Sequence, residues 1–396
     1  MDKPPLIRRV VIHNYKSIEK CDVTLGRFNV LVGRNGSGKS NFLDVLKFVS
    51  DAVSSTLSSA IGSRNGMQAL LRRDRKQPKS FRIALEVQLS DSLAEYEVEI
   101  ASQPDGVFFI HEERLSVRGN DGQGDFERGF RCGRGDLLSS TETTLPSKVD
   151  EDRLYLPIAS SLPRFRPVYD ALTSIGMFSP IPDTVRSPSV SRRTSLLENC
   201  QNLASVIYRL KQEHPETINR IVEYMGQVTP GITGINSEQV GFFEFLKFEQ
   251  SVAGETQSRT FDAMSMSDGT IRALAILVAA MQFRESTDTS HLVAIEEPET
   301  ALHPAAIAVL LEGLREASVN TQILITTHSP DLLDRIDLET DNLFAVSDTS
   351  GSSVIEPIDD ASSTAIREHL YSAGELQRMD QLEPRSVHSY QEVVPE

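Results

Sequence analysis

The segment "GRNGSGKS" (33–40) limits the folds open to this chain more than any other. It keeps the spacing GxxxxGK[ST]. The apolar run "FNVLV" precedes it, and "NFLDVLKFVSDAV" (41–53) follows with a helical stripe at 42, 43, 45, 46, 48 and 49. Strand, glycine-rich turn and helix in that order form a cradle for phosphate. Gly36 and Gly38 let backbone N–H groups approach an anion with no Cβ in the way, and the helix turns its positive end toward it. Lys39 is placed to reach the β- and γ-phosphates of a nucleotide, and the Ser40 hydroxyl to hold Mg²⁺.

Three further stretches complement this cradle. In "LVAIEEPETALHP" (292–304), four apolar residues, Leu292 to Ile295, run into Glu296, Glu297 and, after Pro298, Glu299. A buried strand ending in acid beside a P-loop is the Walker-B pattern. Glu296 takes the metal position, where Asp is more usual, and Glu297 is placed to polarise an attacking water. An acidic solvated turn is the competing reading, but a P-loop already demands such an acid. Crowded carboxylates need a facing cation, and Mg²⁺ with a nucleotide supplies it. Glu299 is expected outside the metal shell, at a subunit boundary. "ITTHSP" (325–330) delivers His328 from a second buried strand, where a neutral imidazole can bond phosphate or water. "MSMSDGTIR" (264–272) sets Ser267 and Gly269 at a helix entry. That is either an ordinary N-cap or an anion site offered to a nucleotide on a second subunit.

Along the chain, 6–13 and 21–33 read as strands. Residues 81–89, 95–101 and 107–111 alternate like an antiparallel meander, and 116–150 reads as a long polar loop. The pattern turns helical from about 155 to 226, with two helices splitting near Pro215. Short strands return at 231–250, followed by a helix at 267–283, a strand at 291–297, a helix at 304–318 and a strand at 321–330. The expected division is a first part of the head at 1–155, a helical, lid-like insertion at 156–230, the second part at 231–375 and a polar tail at 376–396. The two outer parts must join in one sheet.

Lys plus Arg total 40 against 56 Asp plus Glu, so the net charge of −16 argues against a general nucleic-acid coat. Local basic segments exist at 71–79, with Arg72, Arg73, Arg75, Lys76 and Lys79, and at Arg128, Arg131 and Arg134. Cys21, Cys132 and Cys200 are odd in number and widely spaced, which suits a reducing cytosol rather than a disulfide framework. The apolar run at 273–281 is about half of the ~20 residues a membrane span needs, and "MDKPPLIRRVVIHNY" has no signal-peptide core. A cytoplasmic protein without membrane contact is the expectation.

In their order, the P-loop, the Ser-x-Gly helix entry, the strand with Glu-Glu and the strand with His resemble an ABC-type ATPase head. Within that class the chain is similar to the RecF, SMC and OLD-type group. "IHNYKSIEKCDVTL…FNVLVGRNGSGKSNFLDVL" (12–46) carries the likeness, with "MSDGTIR", "EEPETALHP" and, weakly, "LENCQNLASVIYRL" (197–210). The resemblance implies an α/β P-loop NTPase fold with a mixed sheet, an antiparallel β-meander and a helical insertion. It implies that Gly33, Asn35, Gly36, Ser37, Gly38, Lys39, Ser40 and Asn41 hold ATP phosphates and Mg²⁺, with Lys16 and Ser17 touching the nucleotide. Ser267, Asp268 and Gly269 would act in trans on a partner head. Glu296 would be the metal acid, Glu297 the general base and His328 the switch histidine. Ala301, Leu302 and His303 would lie at the other subunit.

Departures from the group are plain. No Q-loop glutamine has a decisive context; Gln68, Gln77 and Gln88 are candidates. No heptad run sets up a long coiled coil. Only 68 residues follow His328, too few for the nuclease domain of OLD-type proteins, and Asp331, Asp334, Asp337, Asp341 and Asp348 read as solvated. The leading expectation is an ATP-gated switch, a homodimer or higher oligomer of heads that controls DNA engagement or a separately encoded, nuclease-like effector in antiphage defence or repair. A RecF-like DNA clamp, a transporter's ATPase subunit and a non-hydrolysing scaffold are the alternatives.

Overall fold

The strands Ser352–Pro357, Asn342–Thr349, Phe28–Val32, Thr321–Thr327, His291–Glu296 and Ile175–Phe178 lie side by side in that order in a six-stranded mixed sheet. All run parallel except Ser352–Pro357, which closes one edge as an antiparallel hairpin with Asn342–Thr349. This computed structural model describes residues 6–386 apart from 74–77, 104–105, 121–123, 191–194, 253, 255–256 and 284–290. No helix among the described residues is long and apolar enough to cross a membrane.

The middle strands are buried along their whole length, as parallel strands covered on both faces are. Successive side chains point to opposite faces, and the sequence uses both. Leu31, Leu292, Ala294, Leu324 and Phe344 face one core, and Val30, Val293, Ile295, Ile323 and Ile325 face the other. The first core takes Phe42, Leu43, Val45, Leu46 and Phe48 from the helix Lys39–Ser54, together with one face of the seven-stranded sheet. The second centres on the helix Asp268–Met281, buried nearly all round and packed beside Leu203–Glu213, Pro215–Val228 and Pro304–Ser318. Each large apolar side chain buried in these cores contributes roughly 1.5–3 kcal/mol.

The seven-stranded sheet is antiparallel, in the order Ile18–Thr24, Ile7–Tyr15, Ser80–Gln88, Ser92–Ser102, Phe108–Asn120, Asp125–Gly133, Asp136–Ser140. A three-stranded sheet, Ile232–Val240, Phe243–Gln250 and Arg259–Asp262, completes the fold. Buried Gln322 ties the first strand to the central sheet. Its Nε2 donates to the carbonyls of Ile7 (2.9 Å) and Gly26 (2.8 Å), and its Oε1 accepts from the Ile7 N–H at 2.8 Å.

Several expectations change here. The single strand expected over 21–33 breaks at a turn where Asn29 Oδ1 accepts from the Gly26 N–H at 2.8 Å, so its halves enter different sheets. The loop expected at 116–150 contains the strands Asp125–Gly133 and Asp136–Ser140. There Phe130 and Cys132 point into the core, while the charges that suggested a loop occupy the open face: Arg131 pairs with Glu112 at 2.6 Å. The helical stretch 156–230 also supplies Ile175–Phe178, the edge strand beside His291–Glu296.

Candidate functional site

The parallel register brings the strand ends together. Thr327 pairs with Val32, just before the P-loop, and Glu296 pairs with Thr326. A cavity of about 470 Å³ opens there, lined by Asn35, Gly36, Gly38, Lys39, Ser40 and Asn41 on one side and by Glu296, Glu297, Thr300 and Thr326 on the other. Ser179 and Arg272 complete the wall.

Gly38 precedes the helix Lys39–Ser54 with φ 113°, in the left-handed region, and a Cβ there would come within 2.1 Å of Ser353 Oγ. Only glycine fits both constraints. Lys39 Nζ donates to the carbonyls of Gly33 (2.6 Å) and Arg34 (3.0 Å). Burial lowers its pKa, and Glu297, Glu299 and Glu296 pull it back up. Ser37 Oγ is buried in the loop without a partner. Cradle, ammonium and acid pair together fit a nucleotide triphosphate, and Ser40 with Glu296 fits a hard divalent cation. No cluster of three or more His, Cys, Asp or Glu among the described residues could hold a metal by protein ligands alone.

Glu297 sits one residue past its strand. Its N–H donates to the Thr326 carbonyl at 3.0 Å, and its φ of 45° then swings the side chain out of the ladder. Glu297 Oε1 lies 3.0 Å from His328 Nδ1, and both side chains are partly exposed. The two residues expected to act together are thus in contact.

Glu299 departs from its expected boundary position. It is buried and accepts from the Thr327 hydroxyl at 2.5 Å, and burial raises its pKa. Its other oxygen, Oε2, is buried without a partner. Lys16 and Ser17 are not among the residues lining the cavity. Lys16 pairs with Asp44 at 2.5 Å. Burial works against the Asp44 charge, but bonds from Lys16 and Tyr15, with Arg64 nearby, hold its carboxyl below the usual range. Ser17 Oγ accepts from Asn41 Nδ2 and meets Ser353 Oγ, both at 2.6 Å, and so braces the P-loop from behind.

At the helix entry, Ser267 Oγ caps the Thr270 N–H at 3.2 Å. Asp268 pairs with Arg186 at 2.5 Å, and Arg186 also donates to the Met266 carbonyl at 2.8 Å. A Cβ on Gly269 would sit 2.4 Å from the Ala301 carbonyl oxygen, so the helix entry presses on the turn after Glu299. Ser267, Asp268 and Gly269 are not among the residues lining the P-loop cavity.

Of the Q-loop candidates, Gln68 and Gln88 are not among the residues lining the cavity. Gln88 Nε2 donates to Leu89 and Ser92 carbonyls (2.8 and 3.2 Å), Gln68 lies on the short helix Met67–Leu70, and Gln77 falls outside the described residues. Ser179 stands at the cavity instead, directly after Ile175–Phe178. Asp341 is buried and bonded to Arg315 at 2.6 Å, so it is not a solvated acid, whereas Asp334, paired with Arg378 at 3.0 Å, is exposed. Of the basic segments, Arg72 is buried, while Arg73, Lys79, Arg131 and Arg134 are exposed. Arg72 is buried against the Ser17 carbonyl (3.1 Å), Arg128 and Arg134 stack on Phe126 and Phe109, and Arg131 holds Glu112. Arg75 and Lys76 lie outside the described residues.

Sequence alone missed Arg272 and Ser179. Arg272 falls one helical turn after Asp268, a spacing that puts both on the same side of the helix. Ser179 follows a strand too short to read.

Residues 28–334 match the family described as "AAA domain, putative AbiEii toxin, Type IV TA system". No curated protein matches the chain. Among solved structures, an SMC head bound to the C-winged helix domain of ScpA superposes with a TM-score of 0.56 at 16% identity, covering 91% of this chain and 100% of that one. An SMC head domain of Pyrococcus furiosus, bound to the C-terminal domain of ScpA, gives 0.54 at 15% identity over 93% and 100%. One from Pyrococcus yayanosii, with a coiled coil and joint, gives 0.50 at 13% over 93% and 100%. At these identities the likeness is one of fold.

Proposed function

The chain belongs to this AAA-domain family and has the fold of an ABC-type ATPase head of the RecF, SMC and OLD-like group, and from that premise we propose that it binds and hydrolyses ATP as a dimerising switch. The observation that carries the reading is the contact of His328 with Glu297, which lines the cavity beside Lys39. The P-loop N–H groups and Lys39 bind the phosphates. Ser40 and Glu296 would hold Mg²⁺, which when bound supplies charge neutralisation at the phosphate oxygens. Glu297 takes the proton of the attacking water, and His328 orients Glu297 through the 3.0 Å contact. Ser267 and Gly269, turned away from their own P-loop cavity, complete the site of a second head.

The output of such a switch is a partner protein. The family description names a toxin and a TA system, and the similar SMC heads carry a bound domain of ScpA. Both support a separately encoded effector for this chain.

Sedimentation of Glu297→Gln with and without Mg·ATP tests the mechanism. Two heads per particle are expected with nucleotide. A strictly monomeric variant at saturating ATP rules the dimer out.

A further inference from the structure

We propose that Arg272 is a positioning residue for this hydrolysis, fixing the Glu297 peptide and joining it to the helix entry that serves the second head. The inference rests on the reading above. Arg272 sits on Asp268–Met281 within the first turns after Ser267 and Gly269, and its side chain reaches the cavity wall beside Lys39, Glu296 and Glu297. Its Nη1 donates to the Pro180 carbonyl at 3.1 Å, and its Nη2 makes a long contact, 3.5 Å, with the Glu297 carbonyl. Its Nε is buried without a partner.

These contacts join three pieces of the wall. Pro180 follows the cavity residue Ser179. Glu297 holds a left-handed backbone, φ 45°, which a non-glycine residue keeps only where its surroundings impose it. Its N–H is fixed by Thr326 at 3.0 Å, and its carbonyl accepts from the Thr300 N–H at 3.1 Å within the turn and meets Arg272, the side chain that ties this turn to the helix, at 3.5 Å. The strained peptide is therefore gripped on both sides, which aims the Glu297 carboxylate at the cavity and at His328. A guanidinium suits this place because its planar fork spans two carbonyls on separate segments, which a lysine ammonium on a flexible stem does poorly. Arg272 shares a helix with Gly269, which presses on the Ala301 carbonyl, so movement of the helix entry when a second head docks reaches Glu297 through one rigid element.

The test compares Arg272→Ala and Arg272→Lys with the wild-type full chain. Phosphate release is read in parallel with equilibrium binding of a non-hydrolysable ATP analogue. A misplaced reacting group costs up to roughly 100-fold. The Ala variant should lose roughly 10- to 100-fold in kcat while analogue affinity changes less than about threefold. Guanidinium at non-denaturing concentration should restore part of the lost rate, and the Lys variant should recover only a fraction. Wild-type kcat in Arg272→Ala overturns the inference. So does a loss confined to analogue affinity, or one that guanidinium leaves unchanged. A wild-type chain that hydrolyses no ATP overturns the function itself, a result distinct from an active wild type alongside an equally active variant.

Discussion

Glu113 and Glu297 both belong to runs of acids next to apolar strands, yet the fold treats them in opposite ways. Glu113 lies inside the seven-stranded sheet with no exposed surface. It accepts from the Tyr96 hydroxyl (3.0 Å) and from the N–H groups of Tyr155 (2.5 Å) and Leu156 (2.9 Å). Burial pushes its pKa up to about 7, although all three donors pull it down. Glu297 is partly exposed at the cavity, in contact with one side chain that can itself move a proton. The buried acid is saturated by donors from its own chain and serves to pin the meander to the segment at 155–156. The open acid is held by its backbone, which leaves the carboxylate for chemistry. A carboxylate surrounded by fixed donors is a structural tie. One whose peptide is fixed but whose oxygens face a cavity is left open to a ligand.

The largest effect that could break this contrast is on rate. Glu297→Gln should lower ATP hydrolysis by roughly 10²–10⁴-fold while leaving the melting temperature near that of the wild type. A fall in stability with unchanged turnover would make Glu297 the tie. Glu113→Ala should do the reverse. It leaves buried donors unsatisfied and should cost on the order of 3 kcal/mol in denaturant unfolding, with kcat per folded molecule preserved. Glu113→Gln should fall between, because its amide N–H₂ opposes one of the donors.

Ligand linkage sharpens the comparison further. Mg·ATP at 100 times its Kd should stabilise the chain by about 2.7 kcal/mol, seen as a raised melting temperature. Glu113→Gln should keep that gain relative to its own baseline, whereas Lys39→Ala should lose it. The smallest effect is in pH. Glu113 binds its proton more tightly folded than unfolded, so its contribution is fully present below its unfolded pKa of about 4.5 and is lost as pH rises toward about 7. Between pH 5.5 and 7 this should remove about 1–2 kcal/mol from wild type. A wild-type slope unchanged in Glu113→Gln would show that another group carries it.

Much of the P-loop side was legible because its logic is local. Glycine spacing, a preceding strand and a helical stripe all lie within 28–53. The Glu296–Glu297 and His328 strands were legible for the same reason, as apolar runs that end in chemistry. Their 3.0 Å contact was not, since it depends on the parallel register between strands 31 residues apart. Ile175–Phe178 was missed because four residues with a glycine among them carry no periodicity. Asp125–Gly133 was missed because a sheet with one open face shows charges there. Glu113 was misleading in a different way. Nothing in "HEERLSV" marks Glu113 as buried, and only the distant Tyr96 and Tyr155 reveal a buried acid.

The central sheet, with a core on either face, has a consequence for how mutations combine. Leu324 belongs to one core, while Ile323 and Ile325, its chain neighbours, belong to the other. Residues adjacent in sequence are then thermodynamic strangers, and residues two apart are partners. Leu324→Ala and Ile325→Val should add within about 0.5 kcal/mol, while Ile323→Val and Ile325→Val should show a coupling energy of their own. The strand separates two nearly independent ledgers of packing. Along Thr321–Thr327, epistasis should follow the two-residue rhythm of the pleat rather than distance along the chain.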